Sequence, residues 1–244
     1  MNKCLYTISE NSLIAAKTYK MVLVGEGVVE GEFVDIGIPG FYLRRPLSIC
    51  DKEDGRLTVV YKVVGEGTKV LSKMGVGAVL EVLTGLGRGF DPEACERSAL
   101  LVGGGLGVPP LYLLAKELKA RGKKVTAVLG FNKAEEIILA DEFKGVCDEV
   151  VVSTADGSVG VKGFVTDAIK EMAGQASHDY FYTCGPMVMM KAVCGVLEGP
   201  GEASLEERMG CGAGFCYGCS IETKKGPMRV CKDGPVFKKE ELLW

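Results

Sequence analysis

The sequence predicts a multi-domain β plus α/β protein: an antiparallel β-barrel over residues 1–95, a doubly wound α/β nucleotide domain over 96–200, and a small lobe over 201–244. Three observations lead to this prediction. Short apolar runs broken by glycine, proline and aspartate fill the first part, and apolar strands alternate with helical periodicity in the second. Four closely spaced cysteines mark the third part.

The barrel prediction rests on runs at Tyr19–Val24, Leu57–Val63 and Val79–Leu83. Their length and the turn residues between them are typical of a small barrel. Helical periodicity is weak in this part except over Gly67–Lys73, where a short helix is expected to start at Thr68.

The α/β prediction rests on regular alternation from residue 99 onward. Parallel strands joined by helices produce this pattern, and glycine and proline at 199–201 are expected to end the domain. The predicted strands are 99–105, 125–129, 149–152 and 180–183. The predicted helices are 108–121, 134–143, 163–173 and 188–197.

Composition excludes several classes of protein. The net charge of −3 indicates neither nucleic acid nor an anionic membrane as a partner. The N-terminal residues have no apolar signal segment, and no apolar run is long enough for a spanning helix, so we expect a cytoplasmic protein without membrane insertion. The single histidine leaves no residues for a histidine-based hydrolytic triad, and no catalytic residue is assigned.

Cys211, Cys216 and Cys219 have the spacing C-x4-C-x2-C, and Cys231 follows. This is the plant-type arrangement that holds a [2Fe–2S] cluster. Glycines between the ligands allow backbone N–H groups to approach the sulfurs. Zinc is the main alternative, but zinc ribbons usually use two C-x2-C pairs and only one is present here. A chance arrangement is the other alternative.

Two glycine-containing turns follow predicted strands of the α/β domain. Gly103, Gly104, Gly105 and Gly107 precede a helix, where backbone N–H groups can approach a dinucleotide pyrophosphate. Their spacing departs from G-x-G-x-x-G, and such turns also occur without ligands. The second turn comprises three residues at the end of the last predicted strand: Cys184, Gly185 and Pro186. Placed opposite the first turn, they would lie where the nicotinamide end of a cofactor belongs.

Two motifs in the barrel are candidates for anion binding. Arg44 and Arg45 precede Pro46, Leu47 and Ser48, and an arginine can bind a phosphate through two hydrogen bonds. A solvated basic strand end is the alternative. The second motif includes Gly67 and Thr68, which could begin a helix facing an anion or form a simple hairpin turn.

These motifs in this order resemble those of the dihydroorotate dehydrogenase B electron transfer subunit family, within the ferredoxin–NADP reductase superfamily. The resemblance covers essentially the whole chain. Its most specific parts are residues 45–48, the turn at 67–68, the triplet at 184–186 and the segment 230–237.

The resemblance implies that the barrel binds FAD, the α/β domain binds NAD as electron acceptor, and the C-terminal lobe holds the [2Fe–2S] cluster. Arg45 would bind the FAD pyrophosphate, Pro46 and Leu47 lie in the same motif, and Ser48 would lie close to the flavin ring. The wider superfamily often has tyrosine where this chain has Leu47, so Tyr61 or another residue would have to stack on the ring. Other residues would flank the flavin or hold its phosphates: Val60, Tyr61, Lys62, Gly67 and Thr68.

The resemblance also implies a partner: an FMN-containing dihydroorotate dehydrogenase catalytic subunit, in a heterotetramer with two copies of each chain. Electrons would pass from that subunit through the cluster and FAD to NAD+, in pyrimidine biosynthesis. A FMN barrel of ~250 residues does not fit within this chain, so we expect the partner to oxidise dihydroorotate.

Two alternatives remain open from sequence. One is the diaphorase subunit of a related NAD(P)H-dependent reductase, of the sulfhydrogenase or ferredoxin–NADP reductase type. The other is a binding module with a structural zinc and no redox function. The residues do not decide between NAD and NADP, because neither an acidic residue at a clear ribose position nor an arginine cluster is evident.

Overall fold

The computed structural model describes residues 1–25, 31–53, 55–172 and 178–244. These residues form two compact units. The first comprises Met1–Gly89 and Glu206–Pro235, and the second comprises Phe90–Leu205 and Val236–Trp244. The segment that carries the four cysteines therefore belongs to the same unit as the N-terminal strands.

The N-terminal part of the first unit is a barrel. Its strands are β1 (Asn2–Ala15), β2 (Thr18–Val24), β3 (Phe33–Gly37), β4 (Arg45–Glu53), β5 (Arg56–Lys62) and β6 (Val79–Leu86). Within the described residues these six strands close in the order β1-β2-β5-β4-β3-β6, and all neighbours are antiparallel. The predicted antiparallel barrel is confirmed.

The barrel core follows from the two-residue period of its strands. On β5, Leu57, Val59 and Tyr61 are buried on one side, while the side chains between them belong to the opposite face. After β5, helix α1 (Glu66–Leu71) begins two residues before the predicted start at Thr68. The reason is that the Thr68 hydroxyl accepts hydrogen bonds from the N–H groups of Val64 and Gly65, so Thr68 lies inside the first turn.

The second unit contains a parallel sheet. Its strands in chain order are β7 (Ser98–Gly104), β8 (Lys124–Phe131), β9 (Glu149–Thr154), β10 (Val161–Lys162), β11 (Tyr180–Cys184) and β12 (Gly201–Ser204). The chain runs outward from β7 to β10, and β11 then pairs with the other side of β7. The strand order therefore reverses between β7 and β11, as in doubly wound sheets.

The helices of this unit are α2 (Val108–Ala120), α3 (Ala140–Val146), α4 (Val165–Glu171) and α5 (Met187–Val196). The predicted helices over 108–121, 163–173 and 188–197 correspond to α2, α4 and α5, although Ala173 lies outside the described residues. Apolar residues on one face of the sheet, including Leu100, Val128 and Phe181, pack with Val165 of α4 and Val193 of α5.

The predicted helix over 134–143 is wrong in its extent. A single 3₁₀ turn at Ala134–Glu136 is followed by extended backbone at Ile137 and left-handed backbone at Leu139, with φ +58°, before α3 begins. Ile138 and Leu139 are buried. The local sequence favours a continuous helix, but the chain instead adopts the backbone conformation that buries these two side chains.

The segment after β12 carries the cysteines and forms a hairpin of β13 (Ser220–Thr223) and β14 (Gly226–Arg229). The end of this segment contacts the chain just after the barrel, where the N–H of Arg88 donates to the carbonyl of Gly234 at 2.6 Å. The last strand, β15 (Val236–Lys238), pairs antiparallel with β12. The sheet of the second unit thus includes two strands that lie after residue 200.

Among the described residues, none of the helices combines the length and the hydrophobicity that a membrane span requires.

Glu202 on β12 is a buried carboxyl group. It accepts a hydrogen bond from the N–H of Asp91 at 3.0 Å, and only 5% of the residue is exposed. Burial, together with the nearby carboxylates of Asp91 and Glu240, raises the pKa of Glu202 to about 7, against the lowering effects of the Asp91 N–H and Lys238. The folded protein therefore holds this proton more tightly than the unfolded chain.

Replacing Glu202 by Gln is expected to stabilise the fold above neutral pH and to change it little near pH 5. Between the ordinary pKa and about 7 the unfolded chain loses the proton while the folded protein keeps it, so ionisation lowers stability as pH rises. Each gain of roughly 1 kcal/mol would raise Tm by about 2–4 °C. Thermal unfolding followed by circular dichroism from pH 5 to 8 measures this, with the exposed Glu198→Gln as control. A gain in Tm independent of pH would contradict the prediction.

Candidate cofactor sites

The four candidate ligand cysteines form two contacting pairs. The Cys216 thiol lies within hydrogen-bond reach of the Cys211 sulfur, and the Cys231 thiol lies within reach of the Cys219 sulfur. Cys219 and Cys231 are buried, whereas Cys216 is exposed. The loop and the hairpin after it therefore bring all four predicted ligands into one lobe.

Backbone N–H groups point at these sulfurs. Those of Phe215 and Cys216 lie 3.3 and 3.4 Å from Cys211 Sγ, and that of Cys231 lies 3.4 Å from Cys219 Sγ. Although burial opposes ionisation, the N–H groups of Ala213, Cys216 and Phe215 lower the pKa of Cys211 to about 6. The loop is thus built to hold a thiolate, which is the form that binds metals.

The pairing of the thiols favours two metal ions over one. In a [2Fe–2S] cluster four thiolates are shared between two irons, whereas a structural zinc needs all four around one ion. Two pairs with backbone N–H groups aimed at sulfur fit the two-iron cluster better.

Arg229 braces the cysteine loop. Its guanidinium donates from Nε and Nη2 to the carboxylate of Asp233, at 2.9 and 3.1 Å, and from Nη1 to the carbonyl of Gly214 at 2.8 Å. It also lies over the ring of Tyr217, 4.9 Å from the centroid. One side chain therefore connects the first three cysteines' loop to the segment that carries Cys231.

A buried acid on β3 lies beneath the same loop. Asp35 is 2% exposed and its Oδ1 has no hydrogen-bond partner among the residues described. A Cβ built on Gly212 would lie 2.7 Å from Asp35 Oδ2, so the loop passes directly over this carboxyl group. Burial raises the pKa of Asp35 to about 6, against the lowering effect of Arg44 and Arg45. Sequence analysis missed Asp35. The only feature that could have pointed to it is the position of an aspartate between apolar residues of a strand.

The two barrel motifs lie together. The guanidinium of Arg45 is packed so closely against Gly67 that a Cβ at position 67 would collide with it. Arg45 also lies over the ring of Phe41, 5.1 Å from the centroid, and donates to the Leu43 carbonyl. The first-turn N–H groups of α1 have no acceptor inside the helix, so they and Arg45 form one region suited to an anion.

The neighbouring Arg44 is engaged elsewhere, because it forms an ion pair with Glu81. Along β4, the remaining motif residues, Pro46, Leu47 and Ser48, are half-buried, so the motif lies at the surface of the barrel.

The structure separates the residues expected to flank a flavin. Val60 and Lys62 belong to one face of β5, but Tyr61 belongs to the other. Tyr61 is 1% exposed, stacks on Tyr19 at 5.7 Å, and donates its hydroxyl to Asn11. The alternative that Tyr61 stacks on a flavin is therefore wrong, because its ring fills the barrel interior.

Thr68 also differs from expectation. Its hydroxyl accepts from the N–H groups of Val64 and Gly65 and donates to the Gly65 carbonyl at 3.1 Å. The side chain thus fixes the turn before α1, and only main-chain groups of this turn are left to face a phosphate.

The two glycine-containing turns of the second unit meet at the reversal of strand order. Gly103 is the register partner of Cys184 in the pairing of β7 with β11. A Cβ on Gly107 would overlap the carbonyl group of Cys184, so only glycine allows this approach. Gly105 has φ +54°, which glycine adopts without strain. The structure therefore brings the two turns together.

A cavity of about 410 Å³ opens beside these turns. It lies at the carboxyl ends of β7, β8, β9 and β11, where ligands bind in open α/β sheets. Gly104, Gly105 and Pro186 line it together with residues that sequence analysis missed. Among the latter are Asn132, Glu136 and Ser153. In the sequence, these residues are marked only by their positions: Asn132 and Glu136 follow β8, and Ser153 lies near the end of β9.

Comparison with known proteins matches two segments of the chain to family models. Residues 206–243 match the iron–sulfur cluster binding domain of dihydroorotate dehydrogenase B, and residues 101–195 match the oxidoreductase NAD-binding domain. The four cysteines and the two turns lie inside these matches.

A curated relative from Fusobacterium nucleatum subsp. nucleatum, a dihydroorotate dehydrogenase B (NAD+) electron transfer subunit, is 46% identical over 95% of each chain. A solved NADH-dependent reduced ferredoxin–NADP oxidoreductase, described in work on flavin-based electron bifurcation, is 33% identical with a TM-score of 0.89, covering 98% of this chain and 90% of its own.

A ferredoxin–NADP+ reductase from Neisseria gonorrhoeae, solved with FAD and NADP, shares the fold at a TM-score of 0.67. It is 17% identical and covers 78% of this chain and 87% of its own. The fold class expected from the resemblance is thereby confirmed. By its identity to the curated relative over nearly the full length of both, the chain belongs to the family of dihydroorotate dehydrogenase B (NAD+) electron transfer subunits.

Proposed function

We propose that this chain passes electrons from an FMN-containing, dihydroorotate-oxidising subunit to NAD+ in pyrimidine biosynthesis. The observation that carries the proposal is the cysteine lobe: two thiol pairs, with N–H groups directed at sulfur, in the same compact unit as the Arg45 and Gly67 region. The match of residues 206–243 to the iron–sulfur cluster binding domain supports an iron–sulfur cluster over a structural zinc in this lobe.

Three cofactors are part of the proposal: a [2Fe–2S] cluster, FAD and NAD. When bound, the flavin supplies both hydride exchange with a nicotinamide and single-electron exchange with an iron–sulfur cluster. The chain's own residues bind and orient these groups. Cys211, Cys216, Cys219 and Cys231 would hold the cluster, and their N–H neighbours would stabilise charge on sulfur.

In the barrel, Arg45 and the first turn of α1 would hold the negative pyrophosphate of FAD, with Gly67 allowing the two to approach. Val60 and Lys62 would face the flavin from β5, while Ser48 would lie near its ring on β4. In the second unit, the turns at 103–107 and 184–186 would accept the NAD pyrophosphate and nicotinamide at the reversal of strand order.

The catalytic partner would dock against the cysteine lobe. Phe215 and Tyr217 flank the exposed Cys216, and their side chains are 77% and 65% exposed. Exposed aromatic residues are enriched in protein interfaces, and a partner covering them would bring its own redox centre close to the cluster. A heterotetramer with two copies of each chain is included in the proposal.

A second candidate function is that of a diaphorase subunit in a related reductase. It is favoured by the similarity to the NADH-dependent reduced ferredoxin–NADP oxidoreductase over nearly the whole chain. The two candidates share cofactors and differ in the partner that delivers or receives electrons at the cysteine lobe.

The function is tested by mixing the holoprotein with a dihydroorotate-oxidising FMN subunit and following NAD+ reduction at 340 nm. We expect reduction to require both chains and dihydroorotate. Cys219→Ser, which removes a buried ligand, should abolish this reduction while NADH oxidation by ferricyanide persists. Cys147→Ser, outside the lobe, is the control. NADH oxidation without any dihydroorotate-dependent reduction would favour the diaphorase candidate, and equal loss of both activities in Cys219→Ser would contradict the assigned electron path.

Arg45→Ala is expected to lower FAD affinity by roughly tenfold or more, because a charge-assisted contact to the pyrophosphate is lost. Arg44→Ala is the matched control, since Arg44 pairs with Glu81 and not with the region at Gly67. FAD retained per chain after dialysis, measured by absorbance of the released flavin, checks the difference. Equal FAD loss in both variants would count against a specific function of Arg45.

Arg229→Met is expected to lower the iron and sulfide content of the purified protein, because Gly214 and Asp233 lose the side chain that joins them. FAD content should stay unchanged, since the barrel motifs do not depend on this contact. Lys224→Met, an exposed residue of the same hairpin, is the control. Full cluster content in Arg229→Met would show that the brace is dispensable.

A further inference from the structure

Asp35 is a buried acid that packing alone does not explain. It lies on β3 between Val34 and Ile36, only 2% of the residue is exposed, and its Oδ1 has no hydrogen-bond partner within the described structure. Burial of a carboxyl group without hydrogen bonds is costly, because water solvates the group far better than apolar side chains do. A buried polar group left in this state indicates a function other than packing.

The carboxyl group of Asp35 packs against the cysteine loop. A Cβ built on Gly212 would have Oδ2, Cγ and Cβ of Asp35 as its three nearest atoms, at 2.7, 3.4 and 3.7 Å. Gly212 is itself buried and directly follows Cys211 in the chain. The carboxyl group therefore contacts the residue next to a candidate cluster ligand, in a position that is shielded from solvent.

The charge of Asp35 is not cancelled by an ion pair within the described structure. Burial raises the pKa of Asp35 to about 6, and Arg44 and Arg45 oppose this rise. The guanidinium of Arg44, however, is paired with Glu81, and that of Arg45 donates to the carbonyl of Leu43. At pH 8 the carboxyl group is therefore ionised, and neither arginine is bound directly to it.

Two other acids of the same compact unit lie on the cysteine lobe itself and differ from Asp35. Asp233 accepts hydrogen bonds from Nε and Nη2 of Arg229, so its charge is compensated. Glu222, on β13, is exposed, so water and dissolved ions screen its charge. Of these three acids, Asp35 is the one whose charge is neither paired nor exposed.

We propose that the Asp35 carboxylate lowers the reduction potential of the cluster that the cysteine lobe binds. The inference rests on the proposed function, because it concerns the cluster of the same electron path. Reduction adds one negative charge to the cluster, and a nearby carboxylate makes this addition less favourable. Because Asp35 and Gly212 are both buried, the repulsion is screened less than it would be at the surface.

A lower potential favours onward transfer of the electron to the flavin and so to NAD+. Asp35 touches no reacting atom in this proposal and acts through its charge alone. Its effect is therefore visible in an equilibrium property of the cluster, apart from any activity of the loaded protein.

The test is a redox titration at pH 8 of purified holoprotein carrying FAD and cluster, followed by the electron paramagnetic resonance signal of the reduced cluster. Asp35→Asn keeps the shape of the side chain and removes its charge. We expect the equilibrium constant of the one-electron reduction to rise by roughly tenfold or more, which corresponds to about 59 mV. Asp35→Leu, which also removes the polar atoms, should shift the potential in the same direction.

Glu222→Gln is the matched control, because it removes one negative charge from the exposed face of the same lobe. It should leave the potential unchanged. Iron and sulfide content are measured for all three variants, and either Asp35 variant that retains the cluster gives the potential.

An unchanged or lowered potential in the Asp35 variants, or an equal rise in Glu222→Gln, would overturn the proposal. Loss of the cluster from both Asp35 variants would also overturn it, because Asp35 would then hold the loop in place and not adjust its charge. Wild-type holoprotein that shows no signal of a reduced cluster would instead overturn the proposed function, so the two failures are distinguishable.

Discussion

Close approach of main chain to neighbouring groups at a few glycines is the constraint on which the candidate sites depend. Gly107, just before α2, lies against the Cys184 carbonyl, and Gly67, in the first turn of α1, lies against the Arg45 guanidinium. Any larger residue would separate these groups by the width of a side chain. Anionic cofactors are bound through main-chain N–H groups and arginine together, so this separation would remove the binding regions without unfolding the strands that carry them.

The cysteine lobe also depends on a close approach at a glycine, here between Gly212 and the carboxyl group of Asp35. Its loop passes over Asp35 at Gly212, and Arg229 ties the loop to Asp233. The lobe is thus held from below by the barrel strand β3 and from the side by its own hairpin. In this arrangement backbone N–H groups contact the sulfurs of Cys211 and Cys219. Because such contacts stabilise negative charge on sulfur, the fold of the loop influences how readily these thiols ionise.

The site residues differed in how well the sequence could assign them. The cysteine spacing and the glycines after β7 are local patterns. The first is typical of iron–sulfur ligation, and the second is typical of dinucleotide binding. Tyr61 and Thr68 were harder, because the direction of a side chain depends on which face of a strand or turn is buried. Glu136 and Ser153 could not be found, since one lies in the turn after β8 and the other on β9, and only the folded sheet makes both line one cavity.

The sequence by itself determined the fold class, the order of its parts, the four candidate ligand cysteines and most strands, because hydrophobic periodicity and residue spacing are properties of short segments. Tertiary structure decided that Tyr61 fills the barrel, that residues 134–146 form a turn and a short helix, and that two strands after residue 200 join the second unit's sheet. It also decided the pairing of the thiols. These features depend on contacts between residues far apart in the chain, and their energies outweigh the local preferences that a sequence displays.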